Sequence, residues 1–323
     1  MNKYAIKTIA LLAMLTFAAC TSDDDPPVKS NTNKNRNERL VEATNASSPS
    51  EALKAAQRME MPALKGGNNW FLVYVSKEIG VNFCVEWSID KRAQYWSAYQ
   101  MTTTTNQKNW NRNNWIGQIN NNEWARLCYE QTKHYANPYA DPFQPELALP
   151  VDGRTELEDY KGSGYSRGHV CPSADRLSSM LANEQTFKLT NIMPMSSGFN
   201  TGTWEVMEAR VRKWSPSSKT DTLYVCKGGT IDNGKYTTAN NLTVPRYYFM
   251  AIMEKNSKSG NGGYKAVGFW IEHKNENQGS DLSKFAMSID ELEAKTGIDF
   301  FCNLPDDIES QVEANYVPSV WGL

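Results

Sequence analysis

The chain has 323 residues, of which 40% are apolar and 22% are charged, so it can bury a sizeable core as one large domain or two smaller ones. Its ten Trp and fifteen Tyr residues suit a compact β-containing fold better than a disordered chain. The formal net charge of −2 excludes recognition of polyanions by overall charge, so any phosphate contact must come from a local patch.

The N terminus has the pattern of an exported lipoprotein. Lys3 and Lys7 precede an apolar run that ends at Ala19, and this run is too short to cross a bilayer as a helix. The sequence LTFAAC predicts a lipoprotein cleavage box, with residues 1–19 as the signal peptide and Cys20 as the lipidated residue. Phe17 fits this box less well than Leu would, which leaves an ordinary signal peptide cut nearby as the alternative.

A polar segment follows Cys20. Its Asn, Ser, Lys and Pro residues cannot build a core, so residues 20–65 are predicted to be a flexible tether and residues 66–323 the folded domain. The three Asp residues close behind Cys20 resemble the signal that sends some lipoproteins to the outer surface. We therefore expect an outer-membrane lipoprotein that is surface-exposed or periplasm-facing.

The remaining cysteines give no metal motif. An exported chain permits disulfides, but five cysteines cannot all pair with one another, and their pairing is left open. None is arranged as CxxC, which argues against a structural zinc site. Cys171 is expected to be a small buried residue rather than a redox group. The five are Cys84, Cys128, Cys171, Cys226 and Cys302.

Hydrophobic alternation and capping residues predict interspersed strands and helices without regular βαβ spacing, which indicates an α+β domain. Two helices are expected, at 201–214 and at 288–297, the second with Ser288 as its N-cap and Gly297 as its end. A surface excursion is expected at 105–124. A short strand and turn is expected at 186–195, and the other predicted strands cover 69–76, 82–90, 94–103, 222–231, 246–255 and 265–274.

The helix after Phe199 carries polar residues at regular spacing. Asn200, Trp204, Glu208 and Arg212 are four residues apart and fall on one stripe of an α-helix. Asn200 and Glu208 would be about 12 Å apart along the axis, so they could share an ion only if one of them held a bound water. That arrangement suits Mg²⁺ and is poor for zinc. The alternative is a solvated face with a Glu208–Arg212 ion pair.

The stretch GSGYSRGH places a histidine beside an arginine in a glycine-containing loop. Arg167 and His169 can lie on the same face of an extended segment, because side chains two residues apart point the same way. A histidine that accepts a proton and a guanidinium that matches phosphate are what phosphodiester hydrolysis requires. A lone histidine that only packs in the core is the alternative.

Four stretches in order resemble the DNA/RNA non-specific endonuclease family, the ββα-metal nucleases that include endonuclease G. They are DYKGSGYSRGHVCPSADR, TNIMPM, FNTGTWEVMEARVRKW and SIDELEAKTGIDFFCNLPDD, and the likeness runs from about residue 70 to residue 313. The resemblance implies a central antiparallel sheet with flanking helices and a ββα-metal motif. It also implies metal-dependent cleavage of DNA and RNA with little base preference and with 5′-phosphate products.

The resemblance also implies a role for each matching residue. His169 would be the general base, Asn200 the sole protein ligand of a catalytic Mg²⁺, and Glu208 the holder of a metal-bound water. Arg167 and Arg212 would contact phosphate, and Asn191 would support the site from behind. Replacement of Mg²⁺ by Mn²⁺ and formation of a homodimer stay open.

Three positions depart from the family pattern. Ser166 stands where the family usually has Asp, so we expect altered orientation or rate rather than loss of activity. KGGT at 227–230 replaces a Thr-Gly-Pro turn of many relatives. An upstream arginine of some relatives has no clear match, with Arg126 and Lys133 as weak candidates.

Two other functions remain as alternatives. One is a surface lipoprotein that kept the nuclease fold and binds nucleic acid without cutting it, which Ser166 and the acidic balance favour slightly. The other is a phosphodiesterase for small nucleotides or lipid head groups, which would use the same base and metal.

Overall fold

The computed structural model of the chain describes residues 33–111, 142–232, 236–237, 240–256 and 263–323. Within these residues, seven strands pair antiparallel in one sheet in the order β1-β2-β3-β6-β9-β10-β11. The central antiparallel sheet of an α+β fold is thus confirmed. The strands are β1 (Asn69–Ser76), β2 (Gly80–Ser88), β3 (Ala93–Met101), β6 (Thr222–Gly229), β9 (Tyr247–Lys255), β10 (Tyr264–Glu272) and β11 (Ala286–Met287).

Two short antiparallel pairs lie outside this sheet. Strand β4 (Ser166–His169) pairs with β5 (Ile192–Met195), and β7 (Tyr236–Thr237) pairs with β8 (Thr243–Val244). The β4–β5 pair carries the glycine-containing loop singled out from the sequence.

The large sheet is buried on both faces. In β6, Leu223 and Val225 belong to one hydrophobic cluster, whereas Tyr224 and Cys226 belong to the other, because successive side chains of a strand point to opposite faces. The first face also packs against Trp204 and the helix that follows it. We call this the site face and the opposite one the rear face.

Helices cover both faces. The site face packs against a π-helix, Phe199–Trp204, and its α-helical continuation, and the rear face packs against α1, α5 and α6. Shorter 3-10 turns occur at Val151–Gly153, Ser173–Asp175, Leu189–Asn191 and Leu282–Phe285. The α-helices are α1 (Pro49–Ala56), α2 (Leu157–Tyr160), α3 (Met180–Gln185), α4 (Glu205–Trp214), α5 (Ile289–Thr296), α6 (Asp306–Glu313) and α7 (Pro318–Trp321). None of the helices in the described residues is long and apolar enough to span a bilayer.

The capping signals of α5 are confirmed. Ser288 Oγ accepts a hydrogen bond from Glu291 N, and the Glu291 carboxylate accepts one from Ser288 N, which forms a capping box. Gly297 ends the helix with a φ of 65°, a left-handed conformation that glycine adopts readily.

The expected start of the folded domain at Gly66 is wrong. Helix α1 buries Ala52, Ala55 and Ala56 against the rear face of the sheet. Asn37 donates to Ala56 O and Pro62 O and accepts from Leu64 N. Residues 33–65 therefore belong to the fold, and their polar side chains satisfy buried backbone groups instead of remaining solvated. Of the predicted tether, residues 20–32 lie outside the described residues.

The described cysteines are reduced and buried. Cys84, Cys171, Cys226 and Cys302 form no disulfide, and Cys128 lies outside the described residues. Burial raises the pKa of the Cys171 thiol to about 12, so it stays protonated at neutral pH. This agrees with the expected role of Cys171 as a buried filler.

Glu86 gives the fold a measurable pH dependence. Its side chain is buried in β2, where Oε1 accepts hydrogen bonds from Lys65 N and Gly66 N. Those backbone hydrogen bonds lower the pKa of this carboxyl, but burial has the larger effect and raises the pKa to about 7. Because the folded pKa exceeds the unfolded one, this stabilising contribution is complete at acid pH and is lost as the pH rises to about 7.

We therefore predict that Glu86→Gln, which keeps the accepting oxygen, reduces the loss of unfolding free energy between pH 5 and pH 8 by about 2 kcal/mol. Urea denaturation at both pH values measures this difference. The exposed Glu42→Gln should keep the wild-type pH dependence, and an unchanged slope in Glu86→Gln would contradict the assignment.

Candidate active site

The β4–β5 pair fixes the position of the loop that contains His169. His169 is the last residue of β4 and is in register with Ile192. Gly168 lies directly against Met195, where an added Cβ would be 2.3 Å from Sδ and 3.0 Å from the Met195 Cβ. A side chain at position 168 would have to displace the Met195 side chain, which favours glycine between Arg167 and His169.

Aromatic rings surround His169. The centroid of its imidazole lies 5.4 Å from that of Phe143 and 5.1 Å from that of Phe187. The carbonyl oxygen of His169 accepts a 2.9 Å hydrogen bond from Trp204 Nε1, which connects the loop to the helical segment on the site face. The Arg167 guanidinium lies 4.0 Å above the Phe143 ring, a cation–π geometry.

Asn191 holds the residues behind His169. Its Oδ1 accepts from Cys171 N at 2.8 Å and from Ser97 Oγ at 3.0 Å. Its Nδ2 donates to Cys171 O at 2.8 Å and to Thr186 O at 2.9 Å. The buried amide thus joins the loop after β4, the end of α3 and strand β3.

Asn200 lies in the π-helix Phe199–Trp204, not in a regular α-helix as expected. The loop 273–278 packs so closely that a Cβ on Gly198 would be 2.8 Å from the Asn275 backbone, and one on Gly202 would be 2.7 Å from Asn277 Cβ. A π-turn pairs residues five apart, so the regular rise behind the 12 Å spacing of Asn200 and Glu208 does not apply. The stripe is therefore continuous only from Trp204 onward.

His273 and Asn275 anchor the start of this turn. His273 Nε2 accepts a 2.8 Å hydrogen bond from Ser196 N, and Asn275 Oδ1 accepts one of 2.8 Å from Gly198 N. The Asn200 side chain is half-buried and makes no hydrogen bond with other described residues. Its amide oxygen is therefore available to a ligand.

Arg212 bridges two carboxylates. Its Nη1 lies 3.1 Å from Asp175 Oδ1 and 3.7 Å from Glu208 Oε2. Asp175 is buried and also accepts a 2.8 Å hydrogen bond from Tyr99 OH. The i,i+4 pair considered from the sequence is present, but the Glu208 side chain is only 14% exposed, so this is not a solvated face.

A buried lysine lies behind this group. Lys227 follows Leu223 and Val225 at two-residue spacing in β6 and therefore points to the site face. Its Nζ has no hydrogen-bond partner in the described part of the chain and lies 5.5 Å from the ring of Tyr99 and 5.9 Å from that of Trp204. Burial lowers the pKa of Lys227, and the charges of Asp175 and Glu208 oppose that change.

The ionisation of Glu208 depends on these neighbours. The pKa of its carboxyl is raised to about 7, mainly by burial and also by the charge of Asp175, while the charges of Lys227 and Arg212 limit this rise. A carboxylate with a pKa near neutrality in a half-buried site is typical of functional positions.

Sequence reasoning missed several groups of this site. Asp175 lies within the quoted loop, and Lys227 lies within the KGGT departure, but neither position had a sequence pattern that assigned it to the site. His273 and Asn275 lie over 70 residues from the helix turn they hold. Arg126 and Lys133 lie outside the described residues.

Comparisons with known proteins agree on one family. Residues 80–307 match the profile described as DNA/RNA non-specific endonuclease. A nuclease of Nostoc sp. is 32% identical over 62% of this chain and 71% of its own length. Nuclease C1 of Cunninghamella echinulata is 29% identical over 50% and 67%, and the mouse mitochondrial nuclease EXOG is 28% identical over 50% and 46%.

A solved structure has a similar fold. The chain aligns with one from the crystal structure of the EndoG/EndoGI complex with a TM-score of 0.54 and 20% identity, over 72% of this chain and 86% of that one. At this identity the likeness concerns the fold alone.

Because Asn191 satisfies three buried groups besides Ser97, we predict that Asn191→Ala lowers the unfolding free energy by about 3 kcal/mol. Urea denaturation measures the change. Asn68→Ala, which removes a single exposed hydrogen bond to Asp90, should cost less than about 0.5 kcal/mol. Equal losses in the two variants would show that the Asn191 amide does not support the loop.

Proposed function

Because the chain belongs to the DNA/RNA non-specific endonuclease family, we propose that it is a metal-dependent endonuclease that hydrolyses phosphodiester bonds of DNA and RNA to 5′-phosphate products. The observation that carries the proposal is the connection of the two motifs. Trp204 Nε1 bonds to His169 O, and Arg212 binds Asp175, which lies six residues after His169. A histidine, an amide, carboxylates and arginines are thereby carried by two connected segments.

The residues present fit a hard divalent cation. The half-buried Asn200 side chain has an unengaged oxygen, and the Glu208 carboxylate is half-buried close by in sequence on the same helical segment. Neutral amide and carboxylate oxygens, with water in the remaining positions, are typical ligands of Mg²⁺. We propose Asn200 as its protein ligand and Glu208 as the holder of a bound water, with Mn²⁺ as a replacement. The bound ion would stabilise negative charge on the leaving oxygen.

His169 acts as the general base in this proposal. An imidazole can accept a proton near neutral pH, and the backbone and aromatic contacts fix its position. His169 takes a proton from a water that attacks phosphorus, and the bond from phosphorus to the 3′ oxygen breaks. The phosphate then remains on the 5′ side, as the resemblance to the family implies.

Two arginines are proposed to contact phosphate. The Arg167 guanidinium lies on β4 two residues before His169, and Arg212 is held by Asp175 beside Glu208. Contacts to phosphate carry no sequence information, which agrees with cleavage without base preference. They are also local, as a chain with a net charge of −2 requires.

We further propose that the enzyme is exported and attached to the outer membrane by lipid at Cys20. The support is the sequence pattern of residues 1–20 alone. Because the described fold already includes Asn33, the proposed tether is shorter than the sequence composition indicates.

We predict that His169→Ala lowers cleavage of plasmid DNA and of RNA by at least about 100-fold in Mg²⁺, because water loses its base. EDTA should abolish cleavage by the wild type, and Asn200→Ala should not recover at high Mg²⁺. Gel assays measure all three, and Lys213→Ala on the exposed side of α4 is the control.

The outcomes of this assay separate the alternatives. A wild-type protein that binds DNA without cutting it would support the binding function. If a small diester were cut in preference to duplex DNA under competition, the phosphodiesterase alternative would replace the endonuclease.

We predict that Lys227→Met moves the acidic limb of the pH profile of kcat/KM to higher pH. The positive charge of Lys227 lowers the pKa of Glu208, so its removal raises that pKa and fewer molecules carry the ionised carboxylate near pH 7. Rates measured from pH 5.5 to pH 9 at saturating Mg²⁺ test this. Lys213→Met should leave the limb in place, and an unchanged limb in Lys227→Met would separate Lys227 from the site.

A further inference from the structure

Three carboxylates converge on the rear side of the fold, on helices α5 and α6. Asp290, Glu293 and Glu313 each place one carboxylate oxygen within 4.8 Å of the other two. Asp290 is exposed, Glu293 is half-buried and Glu313 is only 5% exposed. We call these three residues the rear acidic cluster.

The buried member of this cluster lacks a partner. Glu313 Oε1 is buried and has no hydrogen-bond partner among the described residues. No Lys or Arg of the described part of the chain forms an ion pair with any of the three carboxylates. An unpaired anionic oxygen away from water costs several kcal/mol, so this group requires a proton or a cation.

The surroundings add negative charge. Asp299 and Glu309 lie beside the cluster, and both accept hydrogen bonds from Asn35 Nδ2. Burial, together with the charges of the neighbouring Glu293, Glu309, Asp299 and Asp290, raises the pKa of Glu313 to about 10. A divalent cation would turn this mutual repulsion into attraction.

The ligand atoms select the type of cation. The cluster offers carboxylate oxygens without Cys or His, which favours a hard cation over zinc. Ca²⁺ binds oxygens at about 2.3–2.6 Å, so two oxygens that share one ion are at most about 5 Å apart. The three carboxylate oxygens of the cluster, all within 4.8 Å of one another, meet this condition. Mg²⁺ requires shorter distances and a stricter octahedron.

We propose that Asp290, Glu293 and Glu313 bind a Ca²⁺ ion that fastens α6 to α5, separately from the catalytic metal. Glu293 already accepts a 2.7 Å hydrogen bond from Phe300 N through Oε1, which holds its carboxylate in place. Both helices pack on the rear face, whereas Trp204 and Met207 lie on the site face. The ion therefore stabilises the fold without taking part in hydrolysis.

The test uses the full chain with Asn200→Ala as the background, so that no response arises from the proposed catalytic site. After removal of metal with EDTA and its exchange for metal-free buffer, equilibrium dialysis should find one Ca²⁺ bound per chain. Ca²⁺ at a hundredfold excess over its Kd should raise Tm by about 5 °C or more, and Mg²⁺ at the same concentration by less.

In this background, Glu313→Gln should abolish both Ca²⁺ binding and the rise in Tm, while Glu42→Gln should change neither. Asp290→Asn, at an exposed position that does not threaten folding, should weaken Ca²⁺ binding at least about tenfold. The proposal is overturned if the background protein binds no Ca²⁺, or if Glu313→Gln binds it equally well. Because these experiments do not measure hydrolysis, failure of the Ca²⁺ proposal would leave the proposed nuclease function unaffected.

Discussion

The site depends on one buried amide. Asn191 uses both its oxygen and its nitrogen to hold Cys171, and through Ser97 and Thr186 it connects that residue to the sheet and to the end of α3. His169 lies two residues before Cys171, so its position is set by contacts that it does not make itself. A neutral amide can satisfy donors and acceptors together without a charge to neutralise, which suits a fully buried position.

Charge on the site face is balanced within the fold. Asp175 and Glu208 face Arg212, and Lys227 lies behind them in β6. Each of these groups would be costly to bury alone, and each shifts the pKa of its neighbours. Lys227, in the KGGT stretch, thus contributes to the electrostatics of the site. Ser166, in contrast, carries no charge into this group.

Buried carboxylates are neutralised differently on the two faces of the sheet. On the site face, two carboxylates have cationic partners within the chain. On the rear face, the rear acidic cluster has none among the described residues, and its buried oxygen is unsatisfied. The first arrangement is neutralised within the chain, whereas the second would be stabilised by a cation from solution.

The sequence by itself determined the six long strands of the large sheet, the capped helix α5, the family and the residues His169, Asn191, Asn200 and Glu208 as candidates, because alternation, caps and motif order are local properties. Of the strand and turn predicted at 186–195, only Ile192–Met195 is a strand. Only the tertiary structure decided the π-turn at Asn200, since close packing of loop 273–278 is a contact between distant segments. It also decided that residues 33–65 are folded, because Asn37 pairs with backbone groups that composition does not reveal. The role of Lys227 followed from its position near Trp204 and near the charges of Asp175 and Glu208, which no spacing along the chain encodes.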